Sequence, residues 1–250
     1  MNRRQFSKTL LSTLVGWSLM DFLALPGLLA SPLRGKHDAF IRTLHERSLD
    51  LRESRISQRD WQEAIETLLS DVPLEDFLKA IDFEQLKAGF PYADLGVATR
   101  PVPLDLPEGL ERTSFFWKLF GVQQGRAIIP HGHANMASAH LVLDGQFDLR
   151  HYDLVEKEKE HLIMQPTIHK QSGRGEVSSI SDEHNNIHWF KTLSAHAFTL
   201  DVIMTDLYGQ PYDIYNIDPY EAEYTDEGLL RAPILDVETA LKKYGKEMHH

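Results

Sequence analysis

Two histidines separated by one residue, His131 and His133, are the residues of this sequence best suited to bind a metal ion. Side chains alternate between the two faces of a strand, so both point the same way if the segment is extended. Gly132 between them keeps the opposite face small. The sequence has 13 histidines and no cysteine, which excludes disulfides, Cys-ligated zinc, iron–sulfur clusters and a thiol nucleophile. Any metal must therefore be held by histidine, carboxylate or water.

The residues around this pair follow a defined spacing. Gly125 lies six residues before His131, Ser138 lies five residues after His133, and Gly145 lies seven residues after Ser138. This pattern resembles the first motif of the cupins, in which a glutamate usually stands at the position of Ser138. Two histidines alone hold a metal poorly, so without that carboxylate a third neutral ligand has to come from another strand.

His188 is the predicted third ligand. Strand alternation places it on the same face as Phe190, and the alternative is His184, four residues earlier. A histidine nitrogen bound to a metal lies about 2.1 Å from it, so the ring nitrogens of His131, His133 and His188 should converge to within about 3.5 Å of a common point.

Several segments between about residues 115 and 205 resemble one branch of the cupins. They are His131-x-His133-x-x-Met136, Leu143-x-Gly145, Tyr152-Asp153, Asn186-Ile187-His188 and Leu200-Asp201-Val202. Together they resemble the thiol dioxygenases of the plant cysteine oxidase and cysteamine dioxygenase type. In that family the Asn-Ile-His segment supplies the third iron ligand. The resemblance also implies that Asp201 supports the ligands or binds a substrate amine; the competing interpretation is a polar strand residue.

The resemblance implies an iron-dependent oxygenase that oxidises a small thiol or an N-terminal cysteine with O2. Three neutral imidazoles leave Fe(II) its full positive charge and open positions for a thiolate and O2. Two alternatives stay open, because fold alone does not define chemistry. One is a cupin that uses Mn, Ni or Zn on another small molecule, and the other is a non-catalytic cupin that binds a small ligand.

The other central histidines are expected to lie outside the metal site. His140 follows His133 by seven residues, an odd separation, so in an unbroken strand it faces away from the metal unless a bulge intervenes. His151 is placed on the next strand, on the face opposite Tyr152. Solvent exposure is the expectation for the three histidines in turn-rich polar stretches, His161, His169 and His196.

A mainly β domain is predicted to position these histidines. Short apolar segments separated by turns from Phe115 to Ile217 favour a sandwich or barrel. The resemblance implies that it is a cupin barrel, a jelly roll also called a double-stranded β-helix. The segments 139–143 and 146–152 are predicted to pair as a β-hairpin, because Asp144-Gly145 between them suits a tight turn. Further strands are predicted at 176–181, 187–193 and 198–207.

Helices are predicted at both ends of the barrel. Apolar residues at helical spacing predict two or three helices from His37 to Gly89, with Ser57 as an N-cap and a break at Ser70-Asp71-Val72-Pro73. A short helix is expected from Val237 to Tyr244. The predicted organisation is an export signal at 1–30, a helical extension at 31–98, the cupin barrel at 99–225 and a C-terminal tail at 226–250. The extension is expected to pack against the barrel or a partner subunit in a homo-oligomer.

The N-terminus resembles a twin-arginine export signal. Arg3-Arg4 with Phe6 and Lys8 precedes an apolar run, Leu10 to Leu29, and cleavage is expected near Ala30. The alternative is a membrane anchor, but polar and turn-forming residues interrupt the run. The sequence thus predicts a periplasmic or otherwise exported protein that engages the export translocase. The formal charge of -11 and the lack of a basic stripe argue against a nucleic-acid partner.

Overall fold

Two antiparallel β-sheets dominate residues 31–246, the part of the chain that the computed structural model describes. The predicted export signal lies outside the described residues. The strands are β1 (Ala98–Pro101), β2 (Phe116–Gln123), β3 (Ala127–Ala134), β4 (Met136–Asp144), β5 (Gln146–Lys157), β6 (His161–Gly173), β7 (Val177–Ile180), β8 (Ile187–Thr192), β9 (His196–Thr205), β10 (Asp213–Ile217), β11 (Glu223–Tyr224) and β12 (Leu230–Leu235). One sheet has the order β1-β2-β9-β4-β7, and the other has the order β10-β3-β8-β5-β6-β12-β11.

The connections between the sheets are those of a double-stranded β-helix. Strands β2, β4, β7 and β9 lie in the five-stranded sheet, whereas β3, β5, β6, β8 and β10 lie in the seven-stranded sheet. The chain therefore passes back and forth between the sheets from β2 to β10, and a space lies between them. The prediction of a mainly β cupin barrel with an N-terminal helical extension is confirmed.

The extension consists of two longer helices followed by two short ones, rather than two or three. They are α1 (Ser31–Arg52), α2 (Gln58–Ser70), α3 (Leu74–Ala80) and α4 (Phe83–Lys87). Ser57 caps α2 as predicted, and its side chain and that of Asp60 form a reciprocal capping box. Apolar residues of these helices, such as Trp61 and Ile65, share one core with Trp117 and Leu141 of the five-stranded sheet. The helices thus cover the outer face of that sheet.

The predicted hairpin around Asp144-Gly145 is wrong. Strand β4 pairs with β7 and β9, while β5 pairs with β6 and β8, so the two strands belong to different sheets. Gly145 has a left-handed φ of 78°, but Asp144 does not, and the type I′ turn expected here needs a positive φ at both central residues. The dipeptide instead turns the chain from one sheet into the other.

Residues beyond 225 add a strand to the barrel, in addition to the expected helix. Strand β12 pairs with β6 and with β10, in a segment for which the sequence predicted a tail. The helix, α5, spans Val237–Tyr244. It packs against the outer side of β3 and β8, where Tyr244 contacts Trp189 edge to face at a centroid distance of 5.3 Å. Within residues 31–246, no helix has the length and apolar composition needed to span a bilayer.

Candidate metal centre

Three histidines from two neighbouring strands converge between the sheets. His131 and His133 lie on β3 and His188 lies on β8, directly opposite His131 in the register of the pair. The ring centroid of His131 is 4.6 Å from that of His133 and 4.4 Å from that of His188. One ring nitrogen from each histidine lies within 4.8 Å of the other two, so all three lie within about 3 Å of a common point. The structure therefore brings together the three predicted ligands, and this group could hold a metal ion.

The nitrogen atoms of His131 and His188 are already spaced as metal ligands. Their Nε2 atoms are 3.1 Å apart. Two nitrogens bound at about 2.1 Å and at right angles would be separated by roughly 3 Å. The Nδ1 atom of His131 donates to the carbonyl oxygen of Ile129 at 2.7 Å, which leaves the lone pair on Nε2 and directs it into the site.

Buried nitrogens without partners indicate that the group suits a cation. Neither ring nitrogen of His133, nor Nδ1 of His188, has a hydrogen-bond partner among the described residues. A buried polar atom left unpaired costs free energy, whereas a bound metal would satisfy at least one nitrogen of each ring. The residues present therefore fit a metal held by three neutral nitrogens.

Burial keeps these imidazoles neutral. It lowers the pKa of His131 to about 4 and holds the pKa values of His133 and His188 well below the ordinary range, with further lowering by the neighbouring histidines. Because a metal binds only the neutral imidazole, the three side chains need lose no proton at pH 7 before an ion binds.

The local backbone fixes the orientation of the triad. A register shift between Ile128 and His131 marks a β-bulge just before the first ligand. The side chain of Asn186 accepts from the backbone N–H of His133 at 3.0 Å and donates to its carbonyl oxygen at 3.0 Å. A Cβ at Gly132 would lie 2.9 Å from Asn186 Oδ1, so the glycine allows this amide to approach. Asn186 thus ties the two strands that carry the ligands together.

The expectation that His140 faces away from the metal site is wrong. Asn135 has a left-handed φ of 57° between β3 and β4, and there the chain passes from the seven-stranded to the five-stranded sheet. Counting side-chain faces from His133 across this break is therefore invalid. His140 lies on the inner face of the opposite sheet, with its ring centroid 5.1 Å from that of His188.

His140 is paired with Asp201, the acid predicted at the site. The two residues are opposite each other on β4 and β9, and His140 Nε2 lies 3.7 Å from Asp201 Oδ2. Thr199 donates to Asp201 Oδ1 at 2.6 Å. Burial lowers the pKa of His140 to about 3 and raises the pKa of Asp201 to about 8, so at pH 7 the histidine is neutral and the carboxyl mostly protonated. Lys118 is opposite Asp201 on β2, and burial lowers its pKa to about 8.

The remaining central histidines lie outside the triad, and one of them, His151, is buried next to it. His184, the alternative third ligand, has its Nδ1 3.0 Å from Asp153 Oδ1 and is not part of the group. His151 is fully buried beside His188 at a centroid distance of 6.1 Å, outside the group that could hold the ion. His169 and His196 are exposed as expected, whereas His161 is half-buried.

The triad opens into a cavity of about 440 Å³ between the sheets, within the range of ~300–1,000 Å³ usual for small-molecule sites. Ser138, at the position of the missing cupin glutamate, lines this cavity, and its buried Oγ has no hydrogen-bond partner in the described part of the chain. Asp201 and His140 also line it. The site is therefore accessible to a small molecule and places one acid opposite the three ligands.

Replacing Asp201 by asparagine should change how stability depends on pH. Because the pKa of Asp201 in the folded protein, about 8, exceeds the ordinary value, the folded protein keeps a proton that the unfolded chain loses near pH 4. The contribution of this proton to the free energy of unfolding is therefore lost as pH rises from about 4 to about 8. Asparagine has no such proton to lose. We therefore expect the free energy of unfolding of metal-free Asp201→Asn, relative to the wild type, to increase with pH across this window. Urea unfolding at several pH values measures it. The exposed substitution Asp226→Asn is measured alongside it, and a flat difference for Asp201→Asn would contradict the burial argument.

Comparison with known proteins gives similarity of fold alone. No protein-family model and no curated protein matches the sequence. Similar solved structures include KdgF from Halomonas sp., with 14% identity and a TM-score of 0.31 over 43% of this chain and 77% of that chain. A protein with a double-stranded β-helix domain from Klebsiella pneumoniae has 9% identity and a TM-score of 0.36, over 52% and 92% of the two chains. Procruciferin, an 11S globulin from Brassica napus, has 14% identity and a TM-score of 0.31; the match covers 41% of this chain and 23% of that chain. The cupin assignment rests on the strand topology described above.

Proposed function

We propose that this protein is a metal-dependent cupin oxygenase in which His131, His133 and His188 hold one Fe(II) ion and a small thiol is oxidised by O2. The observation that carries the proposal is the convergence of three neutral imidazole nitrogens at the wall of a cavity between the sheets. A resemblance of the ligand segments to the cupin thiol dioxygenases supports the choice of reaction.

The donor set favours a metal that accepts nitrogen and keeps open positions. Three imidazoles suit Fe(II), and they also suit Mn, Ni and Zn, so the metal itself has to be measured. An Fe(II) ion in this place would supply open positions for a thiolate and O2 together with the redox chemistry that activation of O2 requires. The walls of the cavity are largely apolar, so they would hold the carbon part of a small thiol beside the ion.

The proposed reaction needs no external reductant. A thiol and one molecule of O2 give a sulfinic acid, R–SH + O2 → R–SO2H, in which both oxygen atoms are added to sulfur. Sulfur loses four electrons and O2 gains four, so the equation balances without a co-substrate. A site that holds a thiol, O2 and a metal is therefore sufficient.

Asp201 is the proposed catalytic acid of the cavity. Burial keeps a proton on its carboxyl at neutral pH, and the carboxyl lies beside His140 on the wall that faces the triad. From this position the protonated carboxyl can donate a hydrogen bond to a substrate group. The hydrogen bond from Thr199 holds the carboxyl in place, and His140 lies beside it.

Oxygen consumption tests the proposal. Protein loaded with Fe(II) should take up O2 when a substrate is added from a panel of small thiols that comprises cysteamine, a short peptide with an N-terminal cysteine and short 1-alkanethiols, and mass spectrometry should find the sulfinic acid. Metal-free protein is the control. Iron without thiol-dependent uptake contradicts the oxygenase, and native protein loaded with Mn, Ni or Zn instead favours the cupin acting on another small molecule. Tight ligand binding without turnover or metal favours the non-catalytic cupin.

Export remains a proposal from the sequence. The paired arginines at 3 and 4 and the apolar run after them support passage through the twin-arginine translocase, which carries folded proteins. This route would allow the metal to bind before export.

A further inference from the structure

The cavity has two chemically different ends. Six of the polar side chains that line it, three ligands and three neighbours, lie at the inner end: His131, His133, His188, Ser138, His140 and Asp201. Apart from Thr99 and Asn216, the rest of the lining is apolar and includes Leu95, Val97, Val237 and Leu241. A molecule that fills the cavity must therefore present a small polar head to the histidines and a hydrocarbon part to the other end.

At the apolar end, part of the cavity wall is a short segment that we call the strap, residues 91–97. The strap connects the helical extension to β1, and five of its residues line the cavity: Pro91, Ala93, Leu95, Gly96 and Val97. It meets helix α5 where the N–H of Gly96 donates to the carbonyl oxygen of Gly245 at 2.8 Å. A Cβ at Gly96 would lie 3.0 Å from Leu241 Cδ2, so strap and helix are in close contact there. Leu95 is 39% exposed, which puts this end of the cavity at the surface.

The cavity walls offer no counter-charge for an anionic substrate tail. Among the described residues that line the cavity, none is Lys or Arg, and the one acid, Asp201, lies at the inner end. Lys118 is opposite Asp201 on β2 but does not line the cavity. A carboxylate placed at the apolar end would lose its hydration without gaining a counter-charge, which disfavours its binding there.

We infer that the substrate is a small thiol whose carbon chain is apolar and uncharged, with the thiol at the histidines and the chain held between the strap and α5. This inference deepens the proposed function and rests on it for the thiol group of the substrate. The inference that the carbon chain is apolar and uncharged rests only on the residues that line the cavity. Free cysteine, which carries a carboxylate close to its thiol, should therefore be a poor substrate.

A displacement series tests the apolar end without turnover. The uncharged fluorescent probe N-phenyl-1-naphthylamine is bound to the full-length protein and displaced by 1-alkanethiols of increasing length. Each added methylene buried should tighten binding by about threefold to fourfold. Mercaptoalkanoates of equal length, which carry a terminal carboxylate, should bind far more weakly. An affinity that does not change with chain length, or equal binding of the two series, overturns the inference.

Variants locate the effect at the proposed end. Leu241→Asn on α5 and Leu95→Asn on the strap should each flatten the dependence on chain length, while the metal content stays that of the wild type. Lys242→Asn is the matched control, since its side chain is 68% exposed beside Leu241 and pairs with Glu238 on the surface. Equal loss in all three variants also overturns the inference. If iron-dependent thiol oxidation fails but the chain-length dependence holds, the proposed function falls and the apolar ligand site remains.

Discussion

Replacing His188 by alanine is expected to abolish metal binding and all metal-dependent activity. Two imidazoles from one strand would remain, and the cavity lining offers no carboxylate beside them except the mostly protonated Asp201 on the opposite sheet. Loss of a ligand should weaken metal binding by more than the roughly 10–100-fold that loss of an outer hydrogen-bond partner costs. Elemental analysis of protein purified with Fe(II) in the absence of O2, and titration of metal-free protein with Co(II), measure the effect.

Two matched histidine variants make this result specific. His184→Ala removes the alternative third ligand from the same segment, but His184 is bound to Asp153 and should leave metal content unchanged. His169→Ala removes an exposed histidine that contacts Asp148 and controls for a general loss of histidine. Metal retained by His188→Ala, or lost by His184→Ala, would show that the third ligand is misassigned. Circular dichroism of each variant confirms that the barrel has folded.

The part of the site that lies on one strand could be predicted from the sequence. His131 and His133 share a face because alternation within an unbroken strand is a local property of the backbone. The position of His188 could not be derived in the same way, since it depends on which strand pairs with β3. Its prediction came from the resemblance of Asn186-Ile187-His188 to a family segment, and the structure places it opposite His131.

The residues that face the triad from the other sheet were beyond local reasoning. His140 and Asp201 are neighbours only because β4 pairs with β9, a contact between segments far apart in sequence. The side of β4 that carries His140 depends on the left-handed residue Asn135, where the chain changes sheets. Asparagine tolerates the left-handed conformation better than most residues. Asn135 is therefore the local signal that the alternation of side-chain faces is interrupted between β3 and β4.

The connection after β4 shows the same difficulty. Asp-Gly predicts a turn, and a turn is present, but the dipeptide does not determine which strands the turn joins. Strand β4 turns away from β5 because its apolar residues, including Ala139 and Leu141, pack against the helical extension, whereas Phe147 and Leu149 on β5 face a different core cluster. Sheet membership is thus decided by packing partners that the local pattern does not identify.

Gly145 in this connection should be among the residues least tolerant of substitution. A Cβ there would lie 2.6 Å from Ser194 Oγ and 2.7 Å from Ala197 Cα, and the φ of 78° is unfavourable for alanine. Backbone strain costs roughly 1–2 kcal/mol, and forcing extra volume into a packed site typically costs ~1–3 kcal/mol more. Gly145→Ala should therefore lower the free energy of unfolding by about 3 kcal/mol, measured by urea unfolding.

Gly228 is the matched control, because it separates backbone strain from crowding. It has the same φ of 78°, but a Cβ there would meet no atom within 4 Å. Gly228→Ala should therefore cost only the strain, about 1–2 kcal/mol. Crowding at Gly145 comes from the chain that enters β9, the strand that carries Asp201, so the difference between the variants measures how tightly the two sheets are joined at this corner. Equal costs for both substitutions would mean that the β9 chain can move aside, and that this corner does not fix the spacing between the sheets.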